Sequence, residues 1–344
     1  MTSIFGTTLP IVQAPMAGVQ GSALAVAVSN AGGLGSLPAA MLSVEALRAE
    51  LTTIRDQAGG PVNVNFFCHT PPAPNAARED AWRAALAPYY AEWSIDPARI
   101  QAGPGRTPFG AGALPTLAAL RPEVVSFHFG LPAPALLAEV RALGAKIVSS
   151  ATTVAEARWL EARGVDAIVA QGIEAGGHRG HFLSDDLTEQ PGTFALVPQI
   201  VRAVRVPVIA AGGVADRATV AAALALGAAA VQVGTAYLLC PEATTTPTHR
   251  AALQSDDARH TALTNLFSGR AARGIVNRLM RELGPMSDAP PAFPLASGAL
   301  APLRAAAEQQ GRGDFSPLWA GQNVSGCAAM PAAALTRALA GLGS

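Results

Sequence analysis

A rhythm constrains this chain more than any single residue does. Eight short, nearly uninterrupted apolar runs alternate with longer Ala/Leu-rich segments through the first two-thirds of the sequence. The runs cover residues 11–17, 34–38, 62–67, 124–129, 146–150, 167–171, 207–211 and 230–235. Strand-length runs without polar alternation are what parallel strands buried on both faces require. The segments between them carry helix signals. Thr153 and Glu156 read as a capping box opening a helix over residues 154–163, with Gly164 as its stop. Asp216 opens another over residues 216–226, ended by Gly227. Eight strands alternating with helices predict a (β/α)8 TIM barrel. An open doubly wound sheet shares the local pattern, but the count reaches eight and no GxGxxG opens the chain.

Two segments interrupt the rhythm. Residues 71–120 are Pro/Ala-rich and hold Trp82, Tyr89, Tyr90 and Trp93, which predicts a helical excursion beside the third strand. After Cys240 the strands stop, and residues 241–344 read as a mostly helical cap over one barrel end. The expected division is a barrel over residues 1–240 and a cap over 241–344.

Composition removes several classes. With 50% hydrophobic and 14% charged residues the chain is a core-former, not a disordered one. A formal net charge of zero and no basic stripe argue against nucleic acid and acidic membranes as partners. The N-terminal stretch lacks the basic start and apolar segment of a secretory signal, and no apolar run reaches membrane-span length. Cys68, Cys240 and Cys327 are too far apart for a zinc site and odd in number, so a reduced cytoplasm is expected and no metal. Nothing sets the assembly state, and a homodimer is compatible with the sequence.

In such barrels the chemistry gathers where strands end. The first run ends with Met16 and Ala17, the third presents Asn65, and the fourth carries His128 between two phenylalanines. The sixth ends at Gln171 and opens into "AQGIEAGGHRGH". The seventh ends at Gly212-Gly213, and the eighth in Gln232, Val233, Gly234 and Thr235. Glycine-ended strands expose backbone N–H groups that, with a helix dipole behind, suit a phosphate. The same glycines would also serve plain tight turns. Asn65 and Gln171 each carry a donor and an acceptor, which suits the edge of a heterocycle. Together these features point to a planar cofactor ending in phosphate, such as FMN, with Met16 and Ala17 along the ring.

His178 follows Gly176-Gly177, which permit a close backbone approach to a ligand. Neutral, it would take a proton from a carbon acid; protonated, it would hold an anion. His181 reads as a supporting or surface group and His128 as a buried, hydrogen-bonded core group. Glu174, Arg179, Arg270 and Arg273 carry no assigned role.

The stretches "PIVQAPMAGV", "VNFF", "AQGIEAGGHRG", "VPVIAAGGVADRATVAAALALGAAAVQVGTAYL" and "FSPLWAGQN" resemble the nitronate monooxygenases, of the bacterial class I type. The resemblance spans almost the whole chain. Related NADH:quinone reductases and FMN-dependent enoyl-ACP reductases carry similar loops. The resemblance implies FMN at Asn65, Gln171, Gly176, Gly213 and Gln232 through Thr235, with Gln322 reaching the flavin and His178 catalytic. It implies oxidation of alkyl nitronates, such as propionate 3-nitronate, with O2 through a flavin semiquinone and without NAD(P)H. The products would be a carbonyl compound and nitrite or nitrate. An NAD(P)H-dependent FMN reductase of quinones or enoyl thioesters is the alternative. The family's pocket is lined with tyrosines, and Phe293 stands where one is expected.

Overall fold

The computed structural model describes residues 4–100 and 105–342. Its strands, in chain order, are β1 (Ile11–Gln13), β2 (Gly35–Pro38), β3 (Val62–Phe67), β4 (Val124–His128), β5 (Lys146–Ala151), β6 (Ala167–Gln171), β7 (Gly177–His178), β8 (Val208–Ala211), β9 (Ala230–Val233), β10 (Thr261–Thr264) and β11 (Ala272–Ile275). Eight of them form one parallel sheet in the order β1-β9-β8-β6-β5-β4-β3-β2. Leu34 N–H donates to Ile11 O at 2.8 Å and Gln13 N–H to Leu34 O at 3.0 Å, which joins the two edges into a barrel. Side chains such as Val12, Leu34, Val148, Val169 and Ile209 fill its interior. A larger apolar layer seals the strands against the surrounding helices. Burial on both faces is the physical reason these runs carry so few polar residues.

Two strands end two or more residues sooner than the apolar runs do. β1 stops at Gln13 because Pro15 has no N–H for the ladder, and Gly18, at φ 86°, turns the chain away. β9 stops at Val233, and Gly234 opens a short 3-10 helix, Thr235–Leu239. Met16, Ala17 and Gly234 therefore sit in loops at the barrel mouth, and Thr235 begins the 3-10 helix there.

The helix Val154–Glu161 is capped by Thr153, whose hydroxyl accepts from Glu156 N–H at 3.2 Å. The return arm of the expected capping box is absent. The buried Glu156 carboxylate instead accepts from Thr152 N–H at 2.6 Å and from Phe182 N–H at 2.6 Å, tying the helix start to the loop after β7. The helix Arg217–Ala225 has a full box made by Asp216 and Thr219.

The excursion and the segment after Cys240 share a second core. The helix Ala76–Glu92 packs on the helix Ala296–Gln309 through Trp82, Leu86, Tyr90, Leu300 and Leu303. Trp82 Nε1 donates to Ala296 O at 3.1 Å and the Tyr90 hydroxyl to Ala299 O at 2.7 Å, so both buried polar ends are met. The cap also holds two strands. β11 pairs antiparallel with β10 on one side and with β7 on the other, where Ala272 faces His178. The last helix, Ala332–Leu339, packs against the barrel helices Ser22–Asn30 and Arg217–Ala225 and stands in the barrel wall. Residues 241–342 thus hold both the cap elements and one helix of the barrel wall.

Candidate functional site

A cavity of ≈ 190 Å³ opens at the C-terminal mouth of the barrel. Since one water needs only about 10–15 Å³ by the same measure, this is a space for a ligand. Strand ends and their loops supply Met16, Ala17, Asn65, Phe67, His128, Gln171, Gly212, Gly213, Gln232, Gly234 and Thr235. The loop between β6 and β7 adds Glu174 and Gly176, and β7 itself adds Gly177 and His178. Across them stand Arg106 from the excursion and His249, Trp319, Gly321 and Asn323 from the cap.

Two expected cofactor residues do not line this cavity. Val233 is turned into the barrel wall and is 1% exposed. Gln322 is exposed, and its backbone N–H donates to Glu174 O at 3.0 Å. Its neighbour Asn323 takes the inner position and donates Nδ2 to Gly213 O at 2.9 Å.

The glycines fall into two kinds. A Cβ on Gly176 would lie 2.6 Å from both Ala320 C and Gly321 N, so the tight approach there is to the cap backbone rather than to a ligand. Gly177 has φ +71° and open space around its missing Cβ. Gly212 and Gly213 also have positive φ, at +114° and +71°. Among the described residues, no protein acceptor meets the N–H groups of Gly212, Gly213 or Gly234. These N–H groups border one cavity at the ends of adjacent strands, an arrangement suited to an anion.

His178 is boxed by rings: Phe293 at 5.2 Å, Trp319 at 5.5 Å, Phe129 at 6.1 Å and Phe67 at 6.2 Å between centroids. Its Nε2 lies 2.8 Å from Ser268 Oγ. Ser268 also has Arg270 O as an acceptor at 3.3 Å, so its hydroxyl can serve either neutral tautomer of His178 by rotating. Burial, and then the charge of Arg106, hold the His178 pKa well below its usual range. The imidazole is therefore neutral at neutral pH.

A hydrogen-bonded frame fixes the loop. Gln171 donates Nε2 to His178 O at 3.0 Å and accepts from Gly180 N–H at 2.8 Å with Oε1. Its amide, expected on a cofactor edge, is engaged largely with the protein. His128 donates Nε2–H to His178 O at 3.2 Å, so its Nδ1 accepts from the Ser150 hydroxyl at 2.6 Å. Burial pushes the His128 pKa down to about 3, which keeps that tautomer neutral. Asn65 donates Nδ2 to Ser126 Oγ at 2.9 Å.

The four unassigned polar residues of the region have structural partners. The Glu174 carboxylate accepts from Thr193 N–H at 2.8 Å and caps the helix Thr193–Ala203. Arg179 is completely buried and donates to Gly172 O, Gln171 O and Gln190 Oε1 at 2.7–2.8 Å. Arg270 lies 4.3 Å over the Phe129 ring and donates to His181 O. Arg273 donates Nε to Ile173 O at 2.9 Å. His181 is 4% exposed with Asp185 Oδ1 at 3.4 Å from Nε2, a supporting position rather than a surface one. Among the described residues, no group of three or more His, Cys, Asp or Glu could hold a metal ion, and no helix is long and apolar enough to cross a membrane.

Comparison with known proteins decides the family. The family model for nitronate monooxygenase matches residues 1–340. The chain belongs to the nitronate monooxygenase family. Two nitronate monooxygenases, from Paraburkholderia phytofirmans and Pseudomonas aeruginosa, are each 43% identical to it, over 98% of this chain and 92% and 97% of theirs. A nitroalkane oxidase from Streptomyces ansochromogenes superposes with a TM-score of 0.88 at 39% identity, covering 97% of this chain and 95% of that one. FabK from Thermotoga maritima superposes at 0.70 with 25% identity, covering 98% and 93%.

The wall of this cavity departs from the expectation of a tyrosine-lined pocket. None of the three tyrosines lines it. Tyr237 is buried with its hydroxyl 2.8 Å from Thr336 Oγ1, and Tyr89 and Tyr90 lie in the second core. Phe293 packs on His178 without a hydroxyl to offer. Arg106, Ser268, His249 and Asn323 were not apparent from sequence, since each reaches the site through a segment outside the strand rhythm. The one local signal is Arg106 itself, a lone cation in the Gly/Pro-rich "GPGRTPFG" between the helix Ala76–Glu92 and β4.

Proposed function

We propose that this enzyme oxidises alkyl nitronates with O2, using FMN held at the barrel mouth. The observation that carries the reading is the meeting of a neutral, ring-enclosed histidine and unpaired backbone N–H groups around one cavity. The donor set fits the cofactor. Gly212, Gly213 and Gly234 offer N–H groups to a phosphate, Asn65 and Gln232 offer amides to a ring edge, and Met16 and Ala17 offer an apolar face. The cavity-lining His249 also has its Nε2 buried without a protein partner among the described residues. Bound FMN would supply the electron acceptor for the nitronate and the reductant for O2.

The state of His178 favours a nitronate over a neutral nitroalkane. Protonating it costs about 1.36 kcal/mol for each unit by which its pKa is depressed, so it is a poor acceptor for a substrate proton. A nitronate arrives already deprotonated. With the Ser268 hydroxyl donating to Nε2, His178 presents Nδ1–H as a donor to the anion. The surrounding rings keep water from that hydrogen bond.

The purified protein should be yellow and release FMN on denaturation. Anaerobic propionate 3-nitronate should change its flavin absorption within one turnover, while NADH should not. Bleaching by NADH with no response to nitronate would overturn the reading in favour of an NAD(P)H-dependent reductase.

A further inference from the structure

Four arginines surround the loop that carries His178, and three have their guanidinium groups engaged. Arg179 and Arg273 donate to backbone carbonyls, and Arg270 donates to His181 O while covering Phe129. Arg106 differs. Its backbone carbonyl accepts from His69 Nε2 at 3.0 Å, and Phe109 N–H donates to Phe67 O at 2.8 Å, so the segment is pinned to the end of β3. Its guanidinium has no carboxylate or carbonyl partner among the described residues; its one contact is with the Phe293 ring, at 5.5 Å. It lines the cavity and is largely removed from solvent, which lowers its pKa through desolvation alone. A half-buried cation without a counter-charge is costly. Its fork of donors matches a carboxylate.

The placement separates two tasks. Phe293 packs on His178 at 5.2 Å and under Arg106 at 5.5 Å, so the two groups sit around one ring as distinct contact points. His178 is neutral and meets the reacting end of a substrate. We propose that Arg106 anchors a carboxylate at the far end of the substrate and makes the enzyme selective for nitronates that carry one. This rests on the nitronate reading above.

Two measurements test it. The first is kinetic, on the flavin-loaded enzyme, with propionate 3-nitronate against propyl-1-nitronate, which has the same chain length and no carboxylate. Arg106→Met should raise KM for the carboxylated substrate roughly tenfold to a hundredfold, the range for losing a charge-assisted bond, with kcat changed less than about twofold. KM for propyl-1-nitronate should stay within about twofold of wild type, and Arg106→Lys should restore part of the loss. An equal rise for both substrates would overturn the inference. The second is binding without turnover, read from the flavin spectrum during titration with 3-nitropropionate or 1-nitropropane. Tighter binding of 3-nitropropionate that vanishes in Arg106→Met supports the anchor even if no nitronate is oxidised, an outcome that would overturn the proposed activity instead. No preference for 3-nitropropionate in the wild type would overturn the anchor. Unchanged FMN content in the variants shows that they fold.

Discussion

His178 and Arg179 are neighbours with opposite work, and the contrast sets two expectations at the scale of single residues. His178 touches the cavity, while Arg179 bonds three acceptors inside the protein. His178→Ala should lower nitronate turnover by about 10²–10³-fold, the weight of one positioned donor to an anion. FMN content and the urea midpoint should stay near wild type; parallel loss of flavin would make the residue structural. Arg179→Met should do the reverse and fail first in stability. It strands Gln171 O, Gly172 O and Gln190 Oε1 in the interior, for a loss of about 3–5 kcal/mol by urea denaturation. The histidine's place at the barrel mouth was legible because paired glycines at a strand end let the backbone approach a pocket. The arginine was not, because its partners are carbonyls, and any residue in the sequence offers those. Arg106 was hidden for another reason: only the folded excursion brings it to the cavity.

At the scale of elements, the two glycines of β7's approach separate packing from conformation. Gly176→Ala drives a methyl into the backbone of Ala320 and Gly321 and should cost about 1–3 kcal/mol, as overpacking does. Gly177→Ala meets open space and bears only the left-handed φ, worth about 1 kcal/mol. Urea midpoints should therefore rank wild type, Gly177→Ala, Gly176→Ala, and the reverse order for the two variants would refute the packing account. The eight barrel strands could be read directly, since burial on both faces leaves most of their positions apolar. β10 and β11 could not. Thr261–Thr264 is only partly buried for three of its four residues, and Ala272–Ile275 contains an arginine and a glycine. Their strand character comes from each other and from β7. The ends of β1 and β9 were overrun for a similar reason: residues 15–17 are apolar because they line a cavity, not because they are paired.

For the whole molecule, the buried histidines make stability depend on acid. Burial, the largest cause in each case, pushes His128 to about 3 and His181 and His249 to about 4, from 6.5. The unfolded chain takes up protons near pH 6.5 and the folded chain does not until about pH 4, so the unfolded state binds more protons across that window. Stability is full above the window and falls as pH drops through it. Urea midpoints should decline steadily from pH 6.5 toward pH 4, and a flat profile would contradict this account. The sequence announced a barrel and a cap, but not their interlock, because the helix Ala332–Leu339 returns to the wall only after the cap is built. The three-stranded sheet binds them closer still. β7 carries the histidine and β11 belongs to the cap, so the imidazole is mounted on the seam between two bodies. Evolution and protein engineers alike would find this enzyme hard to treat as interchangeable modules. A chimera that borrowed a relative's cap would inherit a new cavity wall and a new posture for the His178 ring in the same cut.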